Sequence, residues 1–342
     1  MTYVDVAIVG AGPCGLAAAI AAGHRGLAAV VFDRSCLVSG VAGYPTYMTF
    51  FSTAERLSIG GVPFVVPTEK PTRRDALAYY RAVTRHFGLT VRQYEPVEEI
   101  ARLDGSVPAV ESGRGRPARF VVRSRTRDGV VHETAAHAVV IATGYFGHPN
   151  RLGVAGERQP HVTHLFKEGH EAFDQPVVVV GGGNSAVDAA LDLYRSGARV
   201  TLVHFGPALD RNIKPWVLPD IQNRIAEGSI AARFESRVTA VEPREVVLAT
   251  PAGEERVAAE HVYLMLGYQP NAGLLHQLGV PIDPATGIPT HDPATMETAL
   301  PGVFIAGVLA SGYDANKTFI ENGRDHGTLI AARLVGDGGG RP

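Results

Sequence analysis

Apolar runs that stop at glycine clusters organise this chain. The first run, Val4 to Val9, is rich in β-branched residues and predicts a buried parallel strand. It breaks at Gly10, Gly12 and Gly15, and an alanine-rich stretch of helical character follows. A second run, Ala28 to Phe32, ends at Asp33, 23 positions after Gly10 and close to the separation of about 20 found in dinucleotide-binding βαβ units. In such a unit Gly10 allows the sharp turn, Gly12 lets a pyrophosphate reach the backbone, and Gly15 lets helix and strand pack closely. The helix start at Pro13 and Cys14 turns N–H groups and a partial positive charge toward the phosphates. The Asp33 carboxylate is suited to accept from a ribose diol.

The pattern recurs further along. Pro176 to Val180 predicts another buried strand, and Gly181, Gly183 and Ala186 fit the G-x-G-x-x-G/A form, with Asn184 and Ser185 opening the helix. The strand Arg199 to Val203 then ends at His204, again 23 positions on. Two such units in one chain predict two nucleotide seats. The second seat lacks the acid and has Arg211 and Lys214 nearby, which favours a 2′-phosphate and hence NADPH over NADH. As ordinary solvated charges the two cations would leave that choice relaxed.

After Asp33, residues 34–75 show little periodicity and many aromatics and prolines. Such a stretch reads as a loop packed on a ligand, or, for Tyr44, Tyr47, Phe50 and Phe51, as ordinary core. A helix is predicted over 74–87 with Thr72 as N-cap and Asp75 three residues later. Strands follow at 90–94, 120–125 and 130–137, the last two joined at an Asp128-Gly129 turn, and a separate strand at 138–142 opens into Thr143 and Gly144. Beyond the second seat, strands are expected at 237–241, 245–249 and 261–266, the last running into a crossing at Gly267-Tyr268-Gln269-Pro270. A strand at 301–307 closes on Gly307, a helix runs over 316–334, and 336–342 is a frayed tail. The expected fold is α/β with two Rossmann-like dinucleotide-binding domains, one discontinuous (1–150 and 268–342) and one inserted (151–267).

Composition narrows the partners. At 342 residues the chain suits two or three domains, and a net charge of −2 marks it for neither nucleic acid nor an anionic membrane. The longest uncharged apolar stretch, Val6 to Ala22, is interrupted by the turn residues and follows no basic leader, so neither a signal peptide nor a membrane span is expected. Two cysteines, Cys14 and Cys36, cannot form a disulfide framework and point to a reducing cytoplasm. His161, His164 and His170 cluster without a Cys or H-E-x-x-H pattern, so no metal is expected.

Taken in order, Gly10-Ala11-Gly12-Pro13-Cys14-Gly15-Leu16, the strand end Ala142-Thr143-Gly144, the turn Gly181–Ala186 and Val303-Phe304-Ile305-Ala306-Gly307 resemble the thioredoxin-reductase-like two-dinucleotide flavoproteins. That resemblance implies FAD on the first seat, with Thr143, Gly144 and Gly307 beside it, and NADPH on the second. A narrower likeness covers nearly the whole chain: Cys14, Tyr44-Pro45-Thr46, Thr49-Phe50-Phe51-Ser52, Lys214-Pro215-Trp216 and Phe319-Ile320-Glu321-Asn322-Gly323-Arg324 are similar to the YpdA-type bacillithiol disulfide reductases. The chain departs from the broader group in having no C-x-x-C pair, which excludes dithiol exchange of the thioredoxin-reductase kind. It also carries Val308 where many relatives place an FAD-binding aspartate.

Cys14 is the candidate catalytic residue. In the first turn of a helix the macrodipole lowers a thiol pKa, although a small side chain replacing alanine would explain the residue equally well. The family likeness implies a functional thiolate that attacks a low-molecular-weight disulfide while NADPH and flavin supply electrons. The carboxylates of bacillithiol would then call for cations, with Lys70, Arg73, Arg74, Lys317 and Arg324 as candidates. Asn316, Lys317 and Thr318, opening the C-terminal helix, are expected at the flavin edge. A diaphorase or ferredoxin-type reductase without thiol chemistry, or a redox sensor built on Cys14, are the alternatives; relatives suggest a homo-oligomer.

Overall fold

The computed structural model describes residues 1–103, 116–314 and 317–336. The chain divides into two compact units, one of residues 1–42, 52–148 and 269–342, the other of 43–51 and 149–268.

In the first unit β1 (Thr2–Val9), β2 (Ala29–Phe32), β3 (Val91–Arg92), β4 (Val97–Arg102), β5 (Phe120–Arg125) and β6 (Val131–Ile141) form one sheet in the order β3-β2-β1-β6-β5-β4, with Val303–Ile305 also paired to β6. The β1, β2, β3 and Val303–Ile305 pairings are parallel; β2, Val303–Ile305 and the Val6–Val9 part of β1 are mostly buried apolar runs, whereas β3 is a half-buried two-residue edge strand. Ile8, Phe32, Ile141 and Phe304 are fully buried. The expected strands at 130–137 and 138–142 are a single element, because β1 pairs with β6 without a break in strand type from Thr134 to Ile141. What changes midway is the other neighbour: β5 pairs antiparallel with 131–136, and Val303–Ile305 takes over at 139–141.

The helix Pro13–His24 crosses from β1 to β2, and the helix His326–Gly336 packs on it so closely that a Cβ on Gly327 would lie 2.5 Å from the Ala18 Cα. The expected helix over 316–334 is two shorter helices, Ile320–Gly323 and His326–Gly336, separated at Arg324 and Asp325. Asn316 and residues 337–342 of the expected tail lie outside the described residues. The stretch 34–75 contains two short helices, Ser39–Gly43 and Ala54–Leu57, that no periodicity announced.

In the second unit β7 (Val162–Thr163), β8 (Pro176–Val180), β9 (Arg199–Val203), β10 (Ala231–Arg233) and β14 (His261–Leu264) form a parallel sheet in the order β10-β9-β8-β14-β7. β11 (Arg237–Val241), β12 (Glu245–Thr250) and β13 (Gly253–Ala258) form an antiparallel meander. The helix Asn184–Arg195 buries Ala186, Val187, Ala189, Ala190, Leu191 and Leu193. Among the described residues no helix is long and apolar enough to cross a membrane.

The helix Arg73–His86 begins at Thr72, whose side chain accepts from the Asp75 N–H while the Asp75 carboxylate accepts from the Thr72 N–H at 2.9 Å. This reciprocal cap satisfies two orphan donors. Thr72→Ala should therefore destabilise the first unit by about 1 kcal/mol, read as a lower urea midpoint at unchanged slope.

Candidate functional site

The first turn is built where β1 gives way to the helix Pro13–His24. Gly10 has φ +113°, and a Cβ there would lie 2.2 Å from the Ala142 carbonyl oxygen. A Cβ on Gly15 would lie 1.9 Å from the Gly10 oxygen. Gly12, the N-cap, is different: its Cβ would meet nothing within 4 Å. Two glycines thus close the turn and the third leaves open the approach to the helix N-terminus, which is the arrangement a pyrophosphate requires. Asp33 is buried and braces this turn, its Oδ2 accepting from the Ala11 N–H at 2.8 Å and its Oδ1 from the Ser35 N–H at 2.8 Å. Oδ2 keeps a lone pair for a ribose hydroxyl.

Thr143 and Gly144 continue β6, and Asn271 closes on both. The Thr143 hydroxyl donates to the Asn271 oxygen at 2.7 Å, and the Asn271 N–H donates to the Gly144 oxygen at 3.0 Å. Gly307 has φ +75°, and its N–H donates to His326 Nδ1 at 3.2 Å. Burial pushes the His326 pKa below the usual histidine value, with His291 adding to the effect and Asp325 opposing it. His326 is a site residue that sequence reading missed, because nothing local marks a contact made 19 positions away.

Cys14 fills a notch between two glycines: its Sγ lies 3.1 Å from where a Cβ on Gly307 would be and 2.9 Å from where one on Gly323 would be. The residue retains some exposure, but its sulfur is enclosed. Burial pushes the thiol up to about 12, with Asp325 adding to the shift. The expectation of a lowered pKa is therefore corrected. A helix terminus is worth at most about 2 kcal/mol, or roughly 1.5 pKa units, whereas enclosing a charge moves a pKa by about 3–5. Desolvation wins, and the group is a neutral thiol.

Lys317 and Thr318, expected to open the C-terminal helix, do not do so. The helix opens after Phe319, whose N–H donates to Asn322 Oδ1 at 2.7 Å, so Lys317 and Thr318 precede it. Lys317 is exposed with Nζ 3.4 Å from Asp314, and the Thr318 hydroxyl bonds the Ser311 hydroxyl. Of the candidate substrate cations, Arg73 donates to the Ala42 oxygen at 2.7 Å, and Arg324 donates to the Glu55 and Ser58 oxygens at 2.8 and 2.6 Å. Each guanidinium thus has one nitrogen on the protein backbone, and the Arg73 Nε is buried with no hydrogen-bond partner among the described residues.

The second turn repeats the first in its backbone. Gly181 has φ +143°, and a Cβ there would lie 2.4 Å from the Met265 oxygen. Gly183 is the N-cap and Ala186 is fully buried in the position that Gly15 holds in the first copy. His204 is buried, and its ring lies against Gly182, whose Cβ would come within 2.4 Å of it. Its Nδ1 is buried with no hydrogen-bond partner. Asn184 binds the following loop, its Nδ2 donating to the Asn212 oxygen at 2.8 Å and its Oδ1 accepting from the Lys214 N–H at 2.8 Å. Lys214 Nζ bonds Asp188 Oδ2 at 2.6 Å. Lys214, expected as a phosphate-binding cation, thus has a carboxylate partner within its own unit. Arg211 and Ser185 remain exposed. Among the histidines considered for metal, His164 Nε2 is 2.9 Å from Glu157 Oε1, and that carboxylate also accepts from the Leu152 and Gly153 N–H groups.

Comparison with known proteins agrees with this geometry. The family of pyridine nucleotide-disulphide oxidoreductases matches residues 7–307. The bacilliredoxin reductase Bdr of Bacillus subtilis strain 168 is 42% identical over 332 residues, covering 96% of each chain. The solved bacillithiol disulfide reductase Bdr (YpdA) from Bacillus cereus superposes with a TM-score of 0.91 at 40% identity, over 98% of this chain and 100% of that one. A ferredoxin–NADP reductase of Gluconobacter oxydans is 31% identical over 342 residues, covering 96% of this chain and 90% of that one. Both turns fit the cofactors expected of them, FAD and NADPH. The chain belongs to the pyridine nucleotide-disulphide oxidoreductases, and within them to the Bdr (YpdA) type.

Proposed function

We propose that this chain is a cytoplasmic, homo-oligomeric flavoenzyme that uses NADPH to reduce a low-molecular-weight disulfide, with bacillithiol disulfide as the substrate. NADPH, a proton and the disulfide yield NADP⁺ and two thiols. The observation that carries this reading is the presence of two closed glycine turns, at Gly10 and Gly181, each pressed on the carbonyl at the end of the neighbouring strand. The first unit holds FAD through Gly10, Gly12, Pro13, Cys14, Gly15 and Asp33. The second holds NADPH through Gly181, Gly183, Asn184, Ser185 and Ala186. When bound, FAD supplies a ring that takes a hydride from NADPH and passes an electron pair to the disulfide. The protein orients the two dinucleotides by their phosphates and riboses. His326 holds the Gly307 N–H in place at the end of the C-terminal strand.

A second reading, a ferredoxin-type or diaphorase reductase without thiol chemistry, gains support from the neutral Cys14, since a thiol near pKa 12 is a poor nucleophile at neutral pH. Anaerobic titration separates the two. The yellow protein should bleach with stoichiometric NADPH and regain its colour on addition of bacillithiol disulfide. Recovery only with one-electron acceptors would favour the second reading.

Enclosure of Cys14 predicts its reactivity. At pH 8 its alkylation by iodoacetamide, followed by peptide mapping, should be about a thousandfold slower than that of a free thiol from the difference in ionisation alone, and it should not level off below pH 10. The sign for stability follows from the same shift. Below pH 9.0 the thiol is neutral in both folded and unfolded chains; between 9.0 and about 12 the unfolded chain ionises first, so stability falls as pH rises.

A further inference from the structure

We infer that Arg237, carried on the ring of Phe205, is a specificity-determining residue for the adenosine 2′-phosphate of NADPH. This rests on the reading that residues 149–268 seat NADPH. Phe205 lies just past β9, where a dinucleotide fold meets the 2′ position of the adenosine ribose. Its ring is 62% exposed, and the Arg237 guanidinium lies over it at 4.9 Å from the centroid.

The two residues are held together by backbone. The His204 N–H donates to the Arg233 oxygen at 2.9 Å, the Ser236 N–H to the His204 oxygen at 3.1 Å, and the Glu235 N–H to the Gly206 oxygen at 2.9 Å. Residues 233–236 are thereby laced along 204–206, and Arg237 begins β11 directly beyond them. Stacking on an aromatic face orients a guanidinium without using its N–H groups, so all five donors remain for a phosphate.

Two other cations of this unit are already engaged, whereas Arg211 is exposed. Arg233 makes a forked ion pair with Glu255, and Lys214 pairs with Asp188. Arg237 is exposed and makes no ion pair among the described residues. Buried beside the same strand end, His204 presents the Nδ1 that has no partner. At the strand end itself, where NADH-specific folds place a carboxylate, this chain has an imidazole, with an aromatic platform and a guanidinium beyond it and Asp210 Oδ1 3.7 Å from His204 Nε2.

The test uses the purified flavoprotein and two probes, adenosine 2′,5′-bisphosphate and 5′-AMP, with dissociation constants from calorimetry. Arg237→Ala should weaken the bisphosphate about tenfold to a hundredfold, the range for a hydrogen-bonded charge, and 5′-AMP less than twofold. Arg237→Lys should fall between, and Phe205→Ala should weaken the bisphosphate severalfold, with the double variant no worse than Arg237→Ala. If the wild-type protein prefers the bisphosphate and Arg237→Ala keeps that preference at an unchanged melting temperature, the inference is overturned and the seat stands. If the wild-type protein binds neither probe, the seat itself is lost.

Discussion

The contact on which the whole architecture depends is between backbone and backbone. In each unit the first glycine of the turn presses on the carbonyl that ends the neighbouring parallel strand, Gly10 on Ala142 and Gly181 on Met265. No side chain fits in either place, and each glycine also adopts a positive φ that other residues reach only at a cost of about 1–2 kcal/mol. Opening that gap by the width of a methyl group would separate the central strand from its neighbour. It would also move the helix start that faces the phosphates. Sheet register and anion binding are therefore one constraint.

The two copies solve a second problem in different ways. The residue between the first two glycines must be braced by the end of the next strand. In the first unit the brace is a hydrogen bond from the Ala11 N–H to the Asp33 carboxylate. In the second it is the flat ring of His204 laid on residue 182, and the ring occupies the space a Cβ would need, which explains why that residue is glycine while its counterpart is alanine. A carboxylate brace leaves an acceptor for a ribose hydroxyl. An imidazole brace puts no carboxylate at the strand end itself, the nearest being Asp210, whose Oδ1 lies 3.7 Å from His204 Nε2. The choice of nucleotide thus grows out of how each turn is propped.

Cys14 shows the limits of reasoning from one element. On its own helix the thiol sits at the positive end of a dipole. The strand end at Gly307 and the short helix ending at Gly323 come from the far end of the chain and enclose the sulfur, and their lack of side chains makes the enclosure tight. Loss of water around a charge outweighs the dipole several times over.

What the sequence determined by itself was whatever depends on neighbours along the chain. Strand 176–180, strand 199–203, the Thr72 cap and both glycine turns were legible because apolar runs, capping residues and glycine spacing act over a few residues. The single long strand 131–141, the break at Arg324 and the enclosure of Cys14 were not. Neither were the pairing of Lys214 with Asp188 and the placement of Arg237 on Phe205. Each of these depends on which distant segment arrives alongside, and the free energy that decides it, desolvation or an ion pair or a stacked ring, exists only once the chain has brought those segments together.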